Sequence, residues 1–303
     1  MNEIASQGII DNADAVTGIV EAAMRNTTNP RLKQILLALV KHSHAFLREV
    51  RLTDQEFEQG HAFLKEVGLA CNDLHNEVVL LADVLGISTL VTLLNNSNPQ
   101  ERTSGALLGP FFRGGAPRYE NGANIAAEGS PGKPLFVRAK VQNARREPLV
   151  GAQVDVWQAS PVGLYENQDP EQAEMNLRGK FTTDADGCFG FRSVMMVGYP
   201  IPTDGVVGRL LKAPGRHPYR PAHLHALIFK PGFKVLISQV YDPADPHIDS
   251  DVQFGVTQAL IGNFVAHDEP HPVEPDAGTP WYALDYVYKM EPGDAVLPRP
   301  PIR

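Results

Sequence analysis

The stretch Arg220-Pro221-Ala222-His223-Leu224-His225-Ala226-Leu227-Ile228-Phe229 has a proline near its start and runs into an apolar segment, His223 to Phe229, that reads as a β-strand. Strand side chains alternate between two faces, so His223 and His225 point the same way, with Cα atoms roughly 6 to 7 Å apart. Two imidazoles at that spacing reach a single metal ion. The same spacing is also an ordinary feature of a half-buried strand, so further donors are needed to separate the two readings.

Outward from this segment, short runs that are partly β-branched or aromatic predict strands at Leu135 to Gln142, Gln153 to Ala159, Gly187 to Ser193, Val235 to Tyr241 and Trp281 to Met290. Turn signals such as Asp186-Gly187 and Pro231-Gly232 separate them, which favours an antiparallel sandwich over βαβ units. The first third has a different texture: of 25 prolines only Pro30 and Pro99 precede residue 101. Asn29-Pro30 supplies a cap and first position for a helix carrying Leu32, Ile35, Leu36, Leu39 and Val40 at helical spacing. Thr53 with Glu56 predicts a capping box ahead of Phe57, Phe63 and Leu64. A further helix is expected over Asn72 to Leu85, stopping at Gly86. The expected class is α+β: a helical region over residues 1–102, a Gly/Pro-rich connection from Thr103 to Pro134, and an antiparallel β-sandwich within 103–303.

Composition narrows the function classes. A net charge of −8 argues against general affinity for nucleic acid or an anionic membrane. No segment approaches about 18 uninterrupted apolar residues, and Met1 to Ile10 lacks the basic-then-apolar pattern of a leader, so no membrane span and cytoplasmic residence are expected. Cys71 and Cys188 are far apart, with no Cys-x-x-Cys spacing, which disfavours a thiolate zinc site or a disulfide framework.

Two tyrosines stand in loop-like sequence upstream: Tyr165 in Gly163-Leu164-Tyr165-Glu166-Asn167, and Tyr199 in Gly198-Tyr199-Pro200-Ile201-Pro202. A phenol titrates near pH 10, so it serves as an anionic ligand at neutral pH only beside a strongly Lewis-acidic ion. Ferric iron suits that role, because it favours anionic oxygen donors and also accepts imidazole. Two phenolates, two neutral imidazoles and a hydroxide balance its charge.

The pieces Leu164-Tyr165-Glu166, Asn176-Leu177-Arg178-Gly179, Thr183-Asp184-Ala185-Asp186-Gly187, Tyr199 to Gly205, and Gly215 to His225 resemble the intradiol ring-cleavage dioxygenases in order and spacing, and most of all the hydroxyquinol 1,2-dioxygenases. The likeness runs from about residue 30 to about residue 290. It implies Tyr165, Tyr199, His223 and His225 as ligands of one Fe(III) per subunit, an aromatic diol and O2 as substrates, and cleavage between the two hydroxyl-bearing carbons. It implies that Tyr199 leaves the metal as the diol binds and takes up a proton, that Arg220 stabilises negative charge on the ring, and that the Gln239 amide supports Arg220. By the same resemblance the substrate pocket draws on Leu80, Asp83, Leu108, Gly109, Pro110, Ile201, Pro202, Arg220 and Phe254. It also implies a homodimer joined through the N-terminal helices, with a phospholipid bound between them.

Within that reading Asp83 matters most for selectivity, since a carboxylate facing the ring accepts a hydrogen bond from a third hydroxyl that catechol lacks. Tyr241 reads as structural. Three places depart from the family pattern: Leu107-Leu108, Phe254, and His247 where a tyrosine often stands. They keep catechol and chlorinated analogues open as substrates. Two readings of other classes also stand at this point. One is a zinc or copper enzyme using His223, His225 and a third ligand such as His217; the other is a noncatalytic β-sandwich module that binds a carbohydrate or a partner protein.

Overall fold

The structure, a computed structural model, describes residues 9–73, 75–95 and 102–302. The beginning of the Met1 to Ile10 segment and Pro99 lie outside the described residues. The chain forms two compact units, Met1–Lys65 and Glu66–Arg303.

The first unit holds α1 (Ala15–Ala23), α2 (Pro30–Val50) and the start of α3 (Asp54–Leu69), which continues into the second. Asn29 caps α2 as expected: its side chain accepts from the Leu32 amide at 3.0 Å, with Pro30 at the first helical position. The capping box before α3 is also formed, with Glu56 Oε2 accepting from Thr53 N at 2.9 Å and Glu56 N donating to Thr53 Oγ1 at 3.3 Å. No residue of α2 is buried, and Leu32, Ile35, Leu39 and Phe46 stand about half exposed along it.

In the second unit the helix expected over Asn72 to Leu85 is shorter: α4 spans Glu77–Val84. The Asn76 side chain accepts from Val79 N at 3.0 Å and fixes the start there, while Asn72 and His75 pair in an isolated bridge. Gly86, at φ +70°, ends this turn, and a helix not expected from the sequence, α5 (Ile87–Asn95), follows.

The strands are β1 (Pro134–Asn143), β2 (Gln153–Gln158), β3 (Arg178–Thr182), β4 (Cys188–Val194), β5 (Tyr199–Pro200), β6 (Tyr219–Arg220), β7 (His223–Phe229), β8 (Leu236–Tyr241), β9 (Phe264–His267) and β10 (Trp281–Met290), with α6 (Val206–Lys212) between β5 and β6. Two four-stranded sheets, ordered β4-β1-β10-β9 and β3-β2-β7-β8, pack face to face. The edge strands β3 and β9 and the short pair β5-β6 were not among the expected strands. Pairing is antiparallel except between β1 and β10. Those two lie at opposite ends of the sandwich sequence, so no tight turn constrains their direction.

One hydrophobic cluster fills the space between the sheets, built from Leu135, Val137, Ala139 and Val141 of β1, Val154 and Val156 of β2, Leu224, Ala226 and Ile228 of β7, and Leu284 and Met290 of β10. By alternation, His223, His225 and Leu227 face away from that core. They stand on the outer face of the second sheet, where Leu227 joins a second cluster with Phe111, Phe112, Trp157, Tyr165, Tyr199 and Ile302.

Candidate metal centre and active site

Register aligns the outer face of the second sheet into rows. His225 sits opposite Trp157 on one side and Gln239 on the other, and His223 sits opposite Tyr241. The Trp157 indole stacks on the His225 ring at 4.5 Å between centroids and 10° between planes, which fixes the imidazole plane. His223 Nδ1 lies 2.7 Å from Pro221 O, so it donates there and leaves Nε2 with a lone pair. The Nε2 atoms of the two imidazoles face each other at 3.1 Å.

The two phenols arrive from loops. Tyr165 precedes a short turn of helix, and its amide donates to Gln168 Oε1 at 3.1 Å. Tyr199 lies in β5, which pairs with β6 and places Tyr199 across from Arg220. The phenol oxygens are 3.2 Å apart, with the rings edge to face at 5.5 Å. Tyr199 packs within 5.6 Å of the His223 ring, and Tyr165 within 6.4 Å of the His225 ring. All four expected donors are thus buried and brought together.

Electrostatics define the resting state of these groups. Burial, then the Arg220 charge, pushes His223 down to about 3. Burial, reinforced by His223 and Arg220, holds His225 well below its ordinary value. Both imidazoles are therefore neutral at pH 7; Gln239 Nε2 donates to His225 Nδ1 at 3.3 Å, which leaves the His225 proton on Nε2, facing the His223 Nε2 lone pair. Burial raises both tyrosines, against the pull of Arg220, so each holds its proton unless a cation stands beside it.

The set fits a hard trivalent ion. The phenol oxygens lie 3.2 Å apart and the imidazole Nε2 atoms 3.1 Å apart, separations that suit metal–ligand bonds of about 2 Å once a cation displaces the protons between them. The third ligand of the zinc or copper reading is not at this centre. His217 packs with His247 and Tyr219, and among the described residues no three His, Cys, Asp or Glu converge on a metal position.

Arg220 is fully buried beside the imidazoles. Its Nε and Nη2 donate to Asp251 Oδ1 and Oδ2 at 3.1 Å each, Nη2 also reaches Tyr241 Oη at 2.7 Å and Gln239 Oε1 at 3.3 Å, and Nη1 lies 3.1 Å from His223 Nε2. Burial works against the guanidinium charge, but Asp251, then Tyr241 and Tyr199, outweigh it and hold the pKa well above its ordinary value. Gln239 Nε2 donates to Leu107 O at 3.0 Å, which links Arg220 to the loop before Leu108. Sequence reasoning missed Asp251 and gave Tyr241 only a structural part. The available signal for Asp251 was physical: a buried arginine requires a carboxylate.

A cavity of about 660 Å³ is lined by Asp83, Leu108 and Gly109 together with Ser88, Ile237, Arg299 and Pro300. Gly109, on the wall of this cavity, approaches the imidazoles: an added Cβ would sit 3.4 Å from His225 Cε1, and the backbone holds φ +75°. Asp83 is buried, and its Oδ2 has no hydrogen-bond partner. Other expected pocket residues are placed differently. Leu80 and Ile201 lie in a hydrophobic cluster with Val84, Val207, Leu211 and Val252, and Pro110 and Pro202 are half-buried off the cavity wall. Phe254 is half exposed and lines a separate cavity of about 390 Å³ with Arg216 and His217.

Phenols, imidazoles and a guanidinium are thus buried together beside a cavity walled by Gly109. A family model described as Dioxygenase matches residues 107–288, and one described as Catechol dioxygenase N terminus matches residues 29–103. The 6-chlorohydroxyquinol 1,2-dioxygenase of Cupriavidus pinatubonensis is 41% identical over 277 residues, 91% of this chain and 96% of that protein. The hydroxyquinol 1,2-dioxygenase of a Rhizobium species is 42% identical over 246 residues, 81% of this chain and 83% of that protein. The solved hydroxyquinol 1,2-dioxygenase of Pseudomonas putida matches with a TM-score of 0.84 at 38% identity, covering 93% of this chain and 99% of that one. The chain belongs to the intradiol ring-cleavage dioxygenases and is an enzyme, which removes the noncatalytic reading. Among the described residues, no single helix is long and apolar enough to cross a membrane.

Proposed function

We propose that Tyr165, Tyr199, His223 and His225 hold one ferric ion per subunit, and that the protein cleaves hydroxyquinol with O2 to 3-hydroxy-cis,cis-muconate or its tautomer maleylacetate. The observation that carries the substrate choice is the buried Asp83 carboxylate, which lines the cavity walled by Gly109 and leaves its Oδ2 without a hydrogen-bond partner. A third ring hydroxyl satisfies that oxygen, and catechol leaves it bare. The hydroxyquinol dioxygenases among the relatives support the same choice.

When bound, the ion supplies Lewis acidity that eases proton loss from the diol and accepts electron density from the ring. The chain does the rest. Tyr199 is the group that receives a proton at Oη, the role the family resemblance gives it; its strand pairs it across from Arg220. Arg220 stays charged and orients its guanidinium toward the ring carbon that becomes electron-rich. Gln239, Tyr241 and Asp251 hold it there. Phe111, Phe112, Trp157 and Ile302 pack around the phenols and keep water from them.

The half-exposed apolar face of α2 supports a homodimer through the N-terminal helices, with a phospholipid covering apolar surface that the partner leaves. Oxygen uptake by iron-loaded protein, compared as kcat/KM for hydroxyquinol and for catechol, tests the substrate. Preference for catechol, or equal values, rejects the assignment to hydroxyquinol.

A further inference from the structure

We propose that Arg178 is a positioning residue for Tyr165, one that holds the phenol loop in place and, through its buried ion pair with Glu166, sets the electrostatic environment of its ring. The inference rests on the ferric reading above.

Arg178 opens β3 directly across from Trp157, which pairs with His225, which pairs with Gln239; the four form one row across the sheet. Its guanidinium is buried and every nitrogen is used. Nε donates to Glu166 Oε2 at 2.7 Å, Nη1 to Phe111 O at 2.8 Å, and Nη2 to Asn167 Oδ1 at 3.3 Å. Glu166 and Asn167 directly follow Tyr165 in the chain, and the Phe111 ring stacks on the Tyr165 ring at 4.7 Å. One side chain therefore ties down both the segment that carries the phenol and the ring packed on its face.

The network also places charge beside the phenol. Glu166 Oε1 accepts from Arg113 Nη1 at 2.8 Å, so two guanidiniums share one buried carboxylate. Glu174 lies 3.5 Å from Arg113 Nη2, but it is 79% exposed and water screens it. Arg178 Cζ lies 5.8 Å from the centre of the Tyr165 ring. A desolvated cation at that range stabilises an electron-rich ring. Met175 and Leu177, just before Arg178, sit at φ +59° and +60°, a costly backbone for side chains with a Cβ, which persists only where the surroundings enforce it.

The experiment is visible absorption and iron content of iron-loaded Arg178→Met, Arg178→Lys and Glu166→Gln proteins, with folding checked by circular dichroism. Less positive charge beside the ring raises the energy of the phenolate electrons, so Arg178→Met moves the phenolate-to-iron band to longer wavelength. It also weakens iron retention about 10- to 100-fold. Glu166→Gln removes the carboxylate paired with Arg178 and moves the band the opposite way. Arg178→Lys keeps the charge and restores the wild-type position. Shifts of the same sign in Arg178→Met and Glu166→Gln, or none, overturn the proposal. Should Arg178→Met fail to fold, a Glu166→Gln band at or beyond the wild-type wavelength overturns it. Wild-type protein that binds iron without any such band rejects the metal-centre reading itself and this inference with it.

Discussion

Asp251 grips Arg220 with two hydrogen bonds of 3.1 Å, and both side chains are buried. The carboxylate is itself held, accepting from Gln253 N at 3.2 Å and Gly255 N at 2.9 Å. Asp251→Asn leaves the guanidinium charge without its counter-ion, and a broken buried pair costs about 3–5 kcal/mol. Denaturant unfolding should report a loss of that order, together with a fall in kcat; unchanged values of both contradict the role given to the pair.

Asp83 makes stability respond to pH in the opposite sense from an ordinary paired carboxylate. Burial lifts it to about 6 from the ordinary 3.8, against a hydrogen bond from Ser88 and the Arg220 charge. Between those values the folded chain holds a proton that the unfolded chain has lost, so this group contributes least penalty at low pH and costs up to about 3 kcal/mol above pH 6. Asp83→Asn should gain stability at pH 7 and little at pH 4, as read by thermal melts. The same variant should lose kcat/KM for hydroxyquinol and keep it for catechol.

Tyr199→Phe removes the proton acceptor while three donors remain. Iron should stay bound, with turnover down about 100-fold or more. His223→Ala should lose the iron outright. Metal content and oxygen uptake read both, and wild-type activity in either variant contradicts the ligand assignment.

Leu39 is 60% exposed on α2. If that face meets a second chain, Leu39→Glu buries a charge in the interface and should yield monomers in sedimentation at micromolar concentration. A variant that stays dimeric moves the interface elsewhere.

The core strands were legible because alternation and turn signals are local: β7 and β10 begin and end where the sequence predicts, as the Asn29 and Thr53 caps do for α2 and α3. The edge strands β3 and β9 were not, since β3 (Arg178-Gly179-Lys180-Phe181-Thr182) carries a cation and a glycine that only its neighbours explain. That Tyr165, Tyr199, His223 and His225 come together was an expectation of the resemblance, with His-x-His the one part readable from spacing alone. Asp251 and Tyr241 became visible only with tertiary contacts, because partners for Arg220 come from 21 and 31 residues away. The same holds for the pocket: motif position named Phe254, and only the fold shows its ring beside Arg216 and Gly86.

In β7 one face supplies Leu224, Ala226 and Ile228 to the space between the sheets and the other supplies His223 and His225 to the centre. A single inserted or deleted residue at its start would exchange the two faces, driving imidazoles into oil and leucines toward the donors. Evolution can therefore revise this strand by substitution but not by changing its length. Chemistry and folding here are inherited as one unit.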